Sequence, residues 1–194
     1  MKTKVEIKST WGSILFEYEK ENNSIKDTLL EAVKRGADLG GADLGGADLG
    51  GADLGDAYLG GAYLGGAYLG GAYLRGADLG DAYLGDAYLG DAYLGDAYLG
   101  GAYLRGADLR GAYLGDWGKL QSVSDVLIVG AIGSRNGYTS IFHTDKGIFV
   151  QCGCFKGSLE EFEKKVKETH QGDKHERDYL ALIEFVKIKF SDHD

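Results

Sequence analysis

Sixteen five-residue units follow one another without insertion or deletion between Ala37 and Asp116. Every unit reads Ala-(Asp or Tyr)-Leu-(Gly or Arg)-(Gly or Asp), so leucine recurs at every fifth position from Leu39 to Leu114. Disordered segments lack large apolar residues at regular spacing, whereas a short fixed period is typical of solenoid architectures. The run therefore predicts an ordered repeat domain with a core of its own, although the chain contains 33 glycines.

This pattern resembles the pentapeptide-repeat family, whose members wind into a right-handed, four-sided parallel β-helix with four units per coil. The resemblance covers 80 of the 194 residues. It implies a mainly β solenoid of four coils, in which the first and third residues of each unit point inward. The core residues predicted along one side are Leu39, Leu59, Leu79 and Leu99 with Ala37, Ala57, Ala77 and Ala97. Because coils stack like neighbouring strands, about 4.8 Å apart, the column would be roughly 19 Å long, with no internal cavity for a substrate.

Each unit ends in a corner formed by its fourth and fifth residues, and every corner keeps at least one glycine. A tight turn needs a residue at positive φ, which glycine adopts without steric cost. We expect type II turns where the fifth residue is glycine, and a different or distorted turn where the corner is Gly-Asp. Because near-identical units could slip by one coil at little cost, the segments that flank the repeat are expected to fix its register.

The segment before the repeat is predicted to form a hairpin and a helix. Residues 4–9 and 14–19 have strand character on either side of a Trp-Gly-Ser turn. A Ser24 cap opens the helix and Gly36 is a suitable stop, so the helix would cover the N-terminal end of the column. Its predicted apolar face consists of Ile25, Leu29, Ala32 and Val33.

The segment after the repeat returns to an ordinary composition. Apolar runs separated by polar turns predict three strands, at 126–132, 138–143 and 147–152. Two patterns of helical period follow. Their apolar faces are Leu159, Phe162 and Val166 in the first, and Tyr179, Leu182, Ile183, Val186 and Phe190 in the second.

The sequence thus predicts three domains: the hairpin and capping helix at 1–36, the repeat at 37–116, and a small α+β module at 117–194. The whole arrangement is similar to pentapeptide-repeat proteins associated with phages and prophages, which carry a comparable tail. The resemblance implies a phage-associated origin and assigns no activity to the tail.

The acidity of the chain belongs to the repeat alone, which has three arginines against twelve aspartates and so accounts for the whole formal net charge of −9. Such a surface is not expected to bind nucleic acid directly. The chain has no apolar stretch of the roughly 20 residues that span a membrane and no secretory signal, so we expect a soluble, cytoplasmic protein without a membrane partner. The two cysteines lie too close together for a disulfide framework and are expected to be reduced.

With four units per coil, the exterior is predicted to carry two acidic rings and several tyrosine ladders. The rings are Asp38, Asp43, Asp48 and Asp53, and Asp81, Asp86, Asp91 and Asp96. The ladders are Tyr63, Tyr83 and Tyr103, Tyr68 and Tyr88, and Tyr73, Tyr93 and Tyr113. Tyrosine offers a large contact area at low entropic cost, and aromatic neighbours on adjacent strands also stabilise a sheet. Both roles, contact surface and reinforcement of the stack, stay open.

These features favour a non-enzymatic scaffold or protein-interaction surface with an unknown protein partner, and a homodimer is an open possibility. The alternative is a DNA mimic. A net charge of −9 on the column is close to the roughly eleven charges that B-DNA carries over the same length. The resemblance supports this alternative, because some pentapeptide-repeat proteins bind type II topoisomerases on this principle.

A second alternative is a metal site in the C-terminal module. The four candidate ligands are Cys152, Cys154, His170 and His175. Two sulfur and two nitrogen ligands suit zinc, although one residue between the cysteines is shorter than the usual spacing. Catalysis by either thiol would need a base such as His143 or His170, and no spacing selects a pair. We therefore expect no cofactor and no catalytic residue.

Overall fold

The computed structural model describes residues 1–133 and 137–191. The chain divides into two compact units, Met1–Val123 and Ser124–Asp194. The N-terminal hairpin, the helix and the repeat therefore belong to one unit. This division differs from the predicted one, which set the N-terminal segment apart and began the last part at 117.

The first unit starts with an antiparallel hairpin and one helix. Strand β1 (Lys2–Lys8) pairs with β2 (Ile14–Glu21), and α1 spans Ile25–Lys34. The helix begins in a capping box, since the Ser24 side chain accepts a hydrogen bond from the backbone N–H of Asp27 and the Asp27 carboxylate accepts one from Ser24. These bonds satisfy donors that a helix start leaves unpaired. Its buried residues are Thr28, Leu29 and Ala32, with the predicted Ile25 and Val33 only half-buried.

Hydrogen bonds to backbone carbonyls join this segment to the first coil of the repeat. The N–H of Thr10, in the hairpin turn, donates to the carbonyl oxygen of Gly41 at 3.0 Å. From α1, the Lys26 ammonium donates to the carbonyl oxygen of Gly50. The repeat thus starts against a segment whose own sequence is not repetitive, and this gives the first coil a single register.

Each unit of the repeat forms one side of a coil, and twenty residues complete the turn. Parallel β-bridges join second-position residues that are twenty apart, from Asp38 with Tyr58 to Tyr93 with Tyr113. Beside the bridges, the N–H of every leucine from Leu39 to Leu94 donates to a carbonyl oxygen of the next coil. The backbone of each coil is therefore paired with its neighbour on all four sides.

The interior is filled by the leucines and most of the alanines. All sixteen leucines are buried, including the predicted Leu39, Leu59, Leu79 and Leu99. Of the predicted alanines, Ala57, Ala77 and Ala97 are buried, whereas Ala37 is only half-buried, as is Ala47. Both exceptions lie in the first coil, which has no coil before it. Full burial of a leucine stabilises a fold by roughly 1.5–3 kcal/mol, so the leucine column is the main source of stability in this unit.

At five of the six Gly-Asp corners the turn is the same as at a Gly-Gly corner, so the expectation of a different turn is wrong there. In both, the N–H of the next alanine donates to the preceding leucine carbonyl, as Ala62 does to Leu59 at 3.0 Å. The fifth residue has positive φ in both, 65° at Gly61 and 57° at Asp86. Aspartate is among the few residues with a side chain that tolerate this conformation. The sixth corner, Gly115-Asp116, does differ, since its positive φ of 65° lies at Gly115 and Gly115–Trp117 forms a 3-10 helix.

A corner aspartate also restricts the corner of the next coil, twenty residues on. A Cβ added at Gly106 would lie 2.1 Å from Oδ1 of Asp86, and one added at Gly76 would lie 2.2 Å from Oδ1 of Asp56. A Cβ at Gly66, which follows no corner aspartate, would have no heavy atom within 4 Å. While the corner of the next coil keeps the same turn, a corner aspartate therefore leaves room only for glycine at the matching position. The exception is Asp116, twenty residues after Asp96, where the positive φ lies at Gly115 instead and Gly115–Trp117 forms a 3-10 helix.

Each arginine of the repeat lies in the coil after a corner aspartate. The N–H groups of Asp56, Asp86 and Asp91 donate to the carbonyl oxygens of Arg75, Arg105 and Arg110 at 2.9–3.1 Å. Residues of opposite charge thus stand in neighbouring coils, although the Arg110 guanidinium itself pairs with Asp108 of its own unit. A slip by one coil would change which residues are opposite each other. The register is specified inside the repeat as well as by the flanking segments.

The second unit is a four-stranded antiparallel sheet with two helices. Strands β3 (Val126–Ile132), β4 (Gly137–Thr144), β5 (Gly147–Cys152) and β6 (Phe155–Ser158) follow in that order across the sheet, and α2 (Leu159–His170) and α3 (Lys174–Ser191) complete the unit. The three predicted strands are confirmed as β3, β4 and β5, and the prediction missed β6. Strand β6 is only four residues long and contains a glycine, so it has no apolar alternation of its own.

Both helices cover the same side of the sheet. The core consists of Ile141 and Val150 from the sheet and of all the residues predicted for the helices: Leu159, Phe162 and Val166, and Tyr179, Leu182, Ile183, Val186 and Phe190. On the solvent side, the Glu163 carboxylate of α2 pairs with Lys167 at 2.5 Å and with Lys187 of α3 at 2.7 Å. These hydrogen bonds lower the pKa of Glu163 from 4.5 to about 2.

We expect Gly106→Ala to destabilise the protein more than Gly66→Ala. Both substitutions place a side chain at positive φ, which costs roughly 1–2 kcal/mol. Only Gly106→Ala also forces the Asp86 carboxylate aside, and we expect this to add about 1 kcal/mol. Urea unfolding measures both values. In the Asp86→Gly background, Gly106→Ala and Gly66→Ala should lower the free energy of unfolding equally. If Gly106→Ala still destabilised the protein more there, the proposed clash with the Asp86 carboxylate would be contradicted.

We expect Glu163→Gln to remove part of the acid sensitivity of the protein. Because the folded pKa lies below the unfolded value, the ion pairs stabilise the fold above pH 4.5 and lose this effect as the pH falls towards about 2. The pairs are partly exposed, so the difference from wild type at neutral pH should be about 1 kcal/mol or less. Thermal unfolding of wild type and Glu163→Gln, at neutral pH and at pH values between about 2 and 4.5, measures this difference in stability. Glu168→Gln, on the same helix, is the control and should follow wild type.

Candidate interaction surface

The second residue of each unit projects outward, and the tyrosines at this position stack along the column as predicted. The parallel stacked pairs and their ring-centroid separations are Tyr63 and Tyr83 (5.1 Å), Tyr83 and Tyr103 (4.7 Å), Tyr68 and Tyr88 (5.1 Å), and Tyr73 and Tyr93 (4.8 Å). Tyr113 departs from the pattern, since its ring meets Tyr93 edge-on at 6.1 Å. Stacking holds the rings in place, while 39–42% of Tyr63, Tyr83 and Tyr103 remains exposed.

Fourth-position glycines make room for the rings of two ladders, Tyr63 with Tyr83 and Tyr68 with Tyr88. A Cβ added at Gly45 would lie 2.4 Å from Cε1 of Tyr63, and one added at Gly90 would lie 2.4 Å from Oη of Tyr88. Contacts this short do not occur between real side chains, so the rings lean over the corner because the residue there lacks a Cβ. In these two ladders, the pairing of tyrosine with fourth-position glycine is a signal that sequence reasoning missed. Tyr73 and Tyr103, whose units have arginine at the fourth position, stack without it.

The second-position aspartates have a local structural role. Each accepts, on Oδ1, a hydrogen bond from the N–H two residues on, as Asp38 does from Gly40 at 2.9 Å. The aspartates that do so are Asp38, Asp43, Asp48, Asp53, Asp78 and Asp108. Asp108 also binds the Arg110 guanidinium at 2.6 Å, which lowers the pKa of Asp108 to about 2. These carboxylates hold the backbone before each corner.

The second predicted ring occupies all four corners of one coil. It consists of Asp81, Asp86, Asp91 and Asp96, all exposed and all at positive φ. The same coil contains Asp78 and no lysine or arginine, so its charge is −5. Burial, Asp81 and Asp78 together raise the pKa of Tyr98, which lies next to this coil. The negative field of the ring thus reaches the neighbouring tyrosine.

The four candidate metal ligands lie at or next to the ends of β5, α2 and α3. Cys152 ends β5 and Cys154 follows it, while His170 ends α2 and His175 lies in α3. The rings of His170 and His175 are 5.8 Å apart. Across residues 1–133 and 137–191, no group of three or more His, Cys, Asp or Glu side chains is arranged to hold a metal ion.

The half-buried thiol has protein partners instead. The Thr139 hydroxyl donates to Sγ of Cys152 at 3.1 Å, and the Tyr179 hydroxyl lies 3.6 Å from the same sulfur. Nδ1 of His170 lies 3.2 Å from the carboxylate of Asp173. His143, the other candidate base, lies 3.5 Å from Asp125 and packs its ring on Phe190. The two histidines are thus held by carboxylates.

Comparison with known proteins decides the family. The model of the family described as pentapeptide repeats matches residues 35–54, 52–91 and 87–116, in eight copies. The chain is also 43% identical to alr5209, a pentapeptide repeat protein from Nostoc PCC 7120, over 44% of this chain and 75% of that one, with a TM-score of 0.40. This chain belongs to the pentapeptide-repeat family. Pentapeptide-repeat proteins form right-handed β-helices.

Other pentapeptide-repeat proteins of known structure match shorter parts. HetL from Nostoc sp. strain PCC 7120, described as involved in heterocyst differentiation regulation, is 38% identical over 38% of this chain and 41% of its own, with a TM-score of 0.24. AT2G44920 from the thylakoid lumen of Arabidopsis thaliana is 32% identical over 41% of this chain and 55% of its own, with a TM-score of 0.27. No curated protein matches the chain significantly.

Within the described ranges, none of the helices combines the length and the apolar character that crossing a membrane requires.

We expect Tyr83→Ala to destabilise the protein by about 1 kcal/mol more than Tyr58→Ala. Tyr83 has a stacked ring on each side, whereas the bridging neighbours of Tyr58 are Asp38 and Asp78. A stacked pair contributes about 0.5–1.5 kcal/mol, and the lower end applies to exposed rings. Thermal and urea unfolding of the two variants measure the difference. Equal losses would show that stacking does not support the column.

Proposed function

We propose that the repeat is a four-coil column, covered at its N-terminal end by the hairpin and α1, that acts as a non-enzymatic protein-interaction scaffold. The observation that carries this proposal is the set of stacked, exposed tyrosine rings on neighbouring sides of the column. Soluble proteins seldom leave so many aromatic rings in register and open to solvent, and tyrosine is enriched where proteins bind one another. The packed interior leaves the exterior as the working surface.

Rigidity of the rings favours binding. A flexible surface side chain loses about 0.5–1.5 kcal/mol of entropy when a partner immobilises it. In the ladder, Tyr83 is already held between Tyr63 and Tyr103 at 5.1 and 4.7 Å. The side-chain entropy of these rings is therefore already lost when the protein folds, and a partner that binds them does not have to order them again.

The charge beside the ladders indicates a basic partner. Four exposed corner carboxylates surround the coil that contains Tyr83, Tyr88 and Tyr93. A guanidinium group can stack on an aromatic ring and pair with a carboxylate at the same time, whereas an ammonium group can do so less well. An arginine-bearing protein surface fits this combination of rings and acids.

A second candidate is a DNA mimic, and one observation favours it. Eleven of the twelve aspartates of the repeat are fixed by the backbone, six in Asx turns and five at positive φ in corners. Proteins that bind nucleic acid contact negative charges that are held at regular spacing along its backbone. The partner would be a DNA-binding protein such as a type II topoisomerase, and the localisation would be cytoplasmic.

Binding of a nine-residue arginine peptide tests the scaffold proposal. We expect salt-sensitive binding in fluorescence anisotropy, tighter than for the matched lysine peptide, and weakened about tenfold or more when Asp81, Asp86, Asp91 and Asp96 become Asn. The matched control changes Asp38, Asp43, Asp48 and Asp53 to Asn. It removes the same charge from the first coil, at the N-terminal end of the ladders and two coils before the one that contains Tyr83, Tyr88 and Tyr93. If both variants lost the same affinity for the peptide, binding would depend on net charge alone, and the proposal of a defined binding surface would be refuted.

The DNA-mimic candidate is tested in a DNA gyrase supercoiling assay with the same two variants. Inhibition that is lost in the variant of the corner ring, and retained in the control, is the expected result for a mimic. Unchanged supercoiling at a large excess of the wild-type protein would dismiss this candidate and leave the arginine-peptide result unaffected.

A further inference from the structure

The outer strand of the sheet in the second unit has no charge and no proline, and its pairing is regular over residues 126–129. In the part of the chain that the structure describes, β3 pairs with β4 on one side, and no other strand joins it. It is seven residues long, reads VLIVGAI, and contains no charged residue and no proline. Natural proteins usually protect an edge strand with lysine, proline, short length or a covering element, because an open apolar edge pairs with another chain.

The opposite edge of the sheet is protected, so the contrast is internal to this unit. Strand β6 is only four residues long and contains Lys156, and α2 begins directly after it. The four side chains Val126, Leu127, Ile128 and Val129 of β3 are all half-buried rather than buried. The side chains along the regular part of β3 thus keep apolar surface that a further strand could cover.

We propose that β3 is a dimerisation edge, which pairs antiparallel with β3 of a second copy of this chain and so joins two four-stranded sheets into one of eight strands. The register with β4 becomes irregular after Val129, so the pairing centres on Ile128 within the regular part. On a two-fold axis at that residue, Ile128 lies opposite its own copy and Leu127 lies opposite Val129 of the second copy.

The chemistry of the edge selects a second copy as the occupant. Side chains directly opposite each other share one face of an antiparallel pair, so this register matches Ile128 with isoleucine on one face and Leu127 with valine on the other. Leu127 and Val129 pack against the helix-side core, and the pairing therefore places the helices of both copies on the same side of the joined sheet. A strand without charge cannot form an ion pair with a different partner. Its apolar side chains do match those of a second copy in the antiparallel register, and an interface on a two-fold axis is self-complementary in this way.

Light scattering and sedimentation of the full chain test the proposal first. The wild-type protein should associate into a dimer as its concentration rises. Ile128→Lys places two lysines directly opposite each other at the axis and should raise the dimer dissociation constant about tenfold or more, because like charges in that position repel. The matched control is Ile188→Lys, at an exposed isoleucine on α3 that is 62% accessible, and it should dimerise like wild type.

A gain of cross-linking keeps the test independent of any folding defect in Ile128→Lys. In a background with Cys152→Ser and Cys154→Ser, Ile128→Cys should form an intermolecular disulfide under mild oxidation, because opposed residues on the axis have close Cβ atoms. Ile188→Cys in the same background should not. A monomer at every concentration, a dimer unaffected by Ile128→Lys, a dimer lost only in Ile188→Lys, or absence of the cross-link would each overturn the proposal.

Discussion

The architecture of the repeat depends on one constraint, that each residue stays opposite the residue twenty positions later. Only in that register do the leucine N–H groups find carbonyl oxygens in the next coil, as Leu64 does with Tyr83 at 2.8 Å. Backbone groups around a packed interior must be paired, so a coil of a different length would leave donors unsatisfied. The constant Ala and Leu layers permit this register, and the corner contacts between Asp86 and Gly106 help to select it.

The elements that the sequence predicted well are those governed by local spacing. The leucine core follows from the five-residue period, and the capping box at Ser24 follows from residues three apart. Strand β6 was missed because its residues have no pattern of their own and become a strand only by pairing with β5. The corner turns were misjudged because the positive φ was assigned to glycine alone, whereas aspartate also tolerates it.

The sequence predicted which tyrosines share a side of the column, but it did not predict which atoms their rings contact. A period of twenty residues places Tyr63, Tyr83 and Tyr103 on one side of the column, and their rings do stack. The direction in which a ring leans depends on the space beside it, which the fourth-position glycines provide. The period does not predict the orientation of the Tyr113 ring. Tyr113 lies in the last unit of the repeat, and its ring meets that of Tyr93 edge-on instead of stacking on it.

The contact between a corner carboxylate and the glycine of the next coil has an evolutionary consequence. Where the following coil keeps the same turn, a glycine-to-aspartate change is open to a corner only while the matching corner of that coil remains glycine. Once the change has occurred, that glycine can be replaced only if its turn also changes, as it does at Asp116 after Asp96. Substitutions along one edge of the column are therefore coupled in a single direction, from the N-terminal to the C-terminal coil. Duplication of whole coils escapes this coupling, since each copied edge brings its compatible neighbour, and such proteins can lengthen more easily than they can diversify.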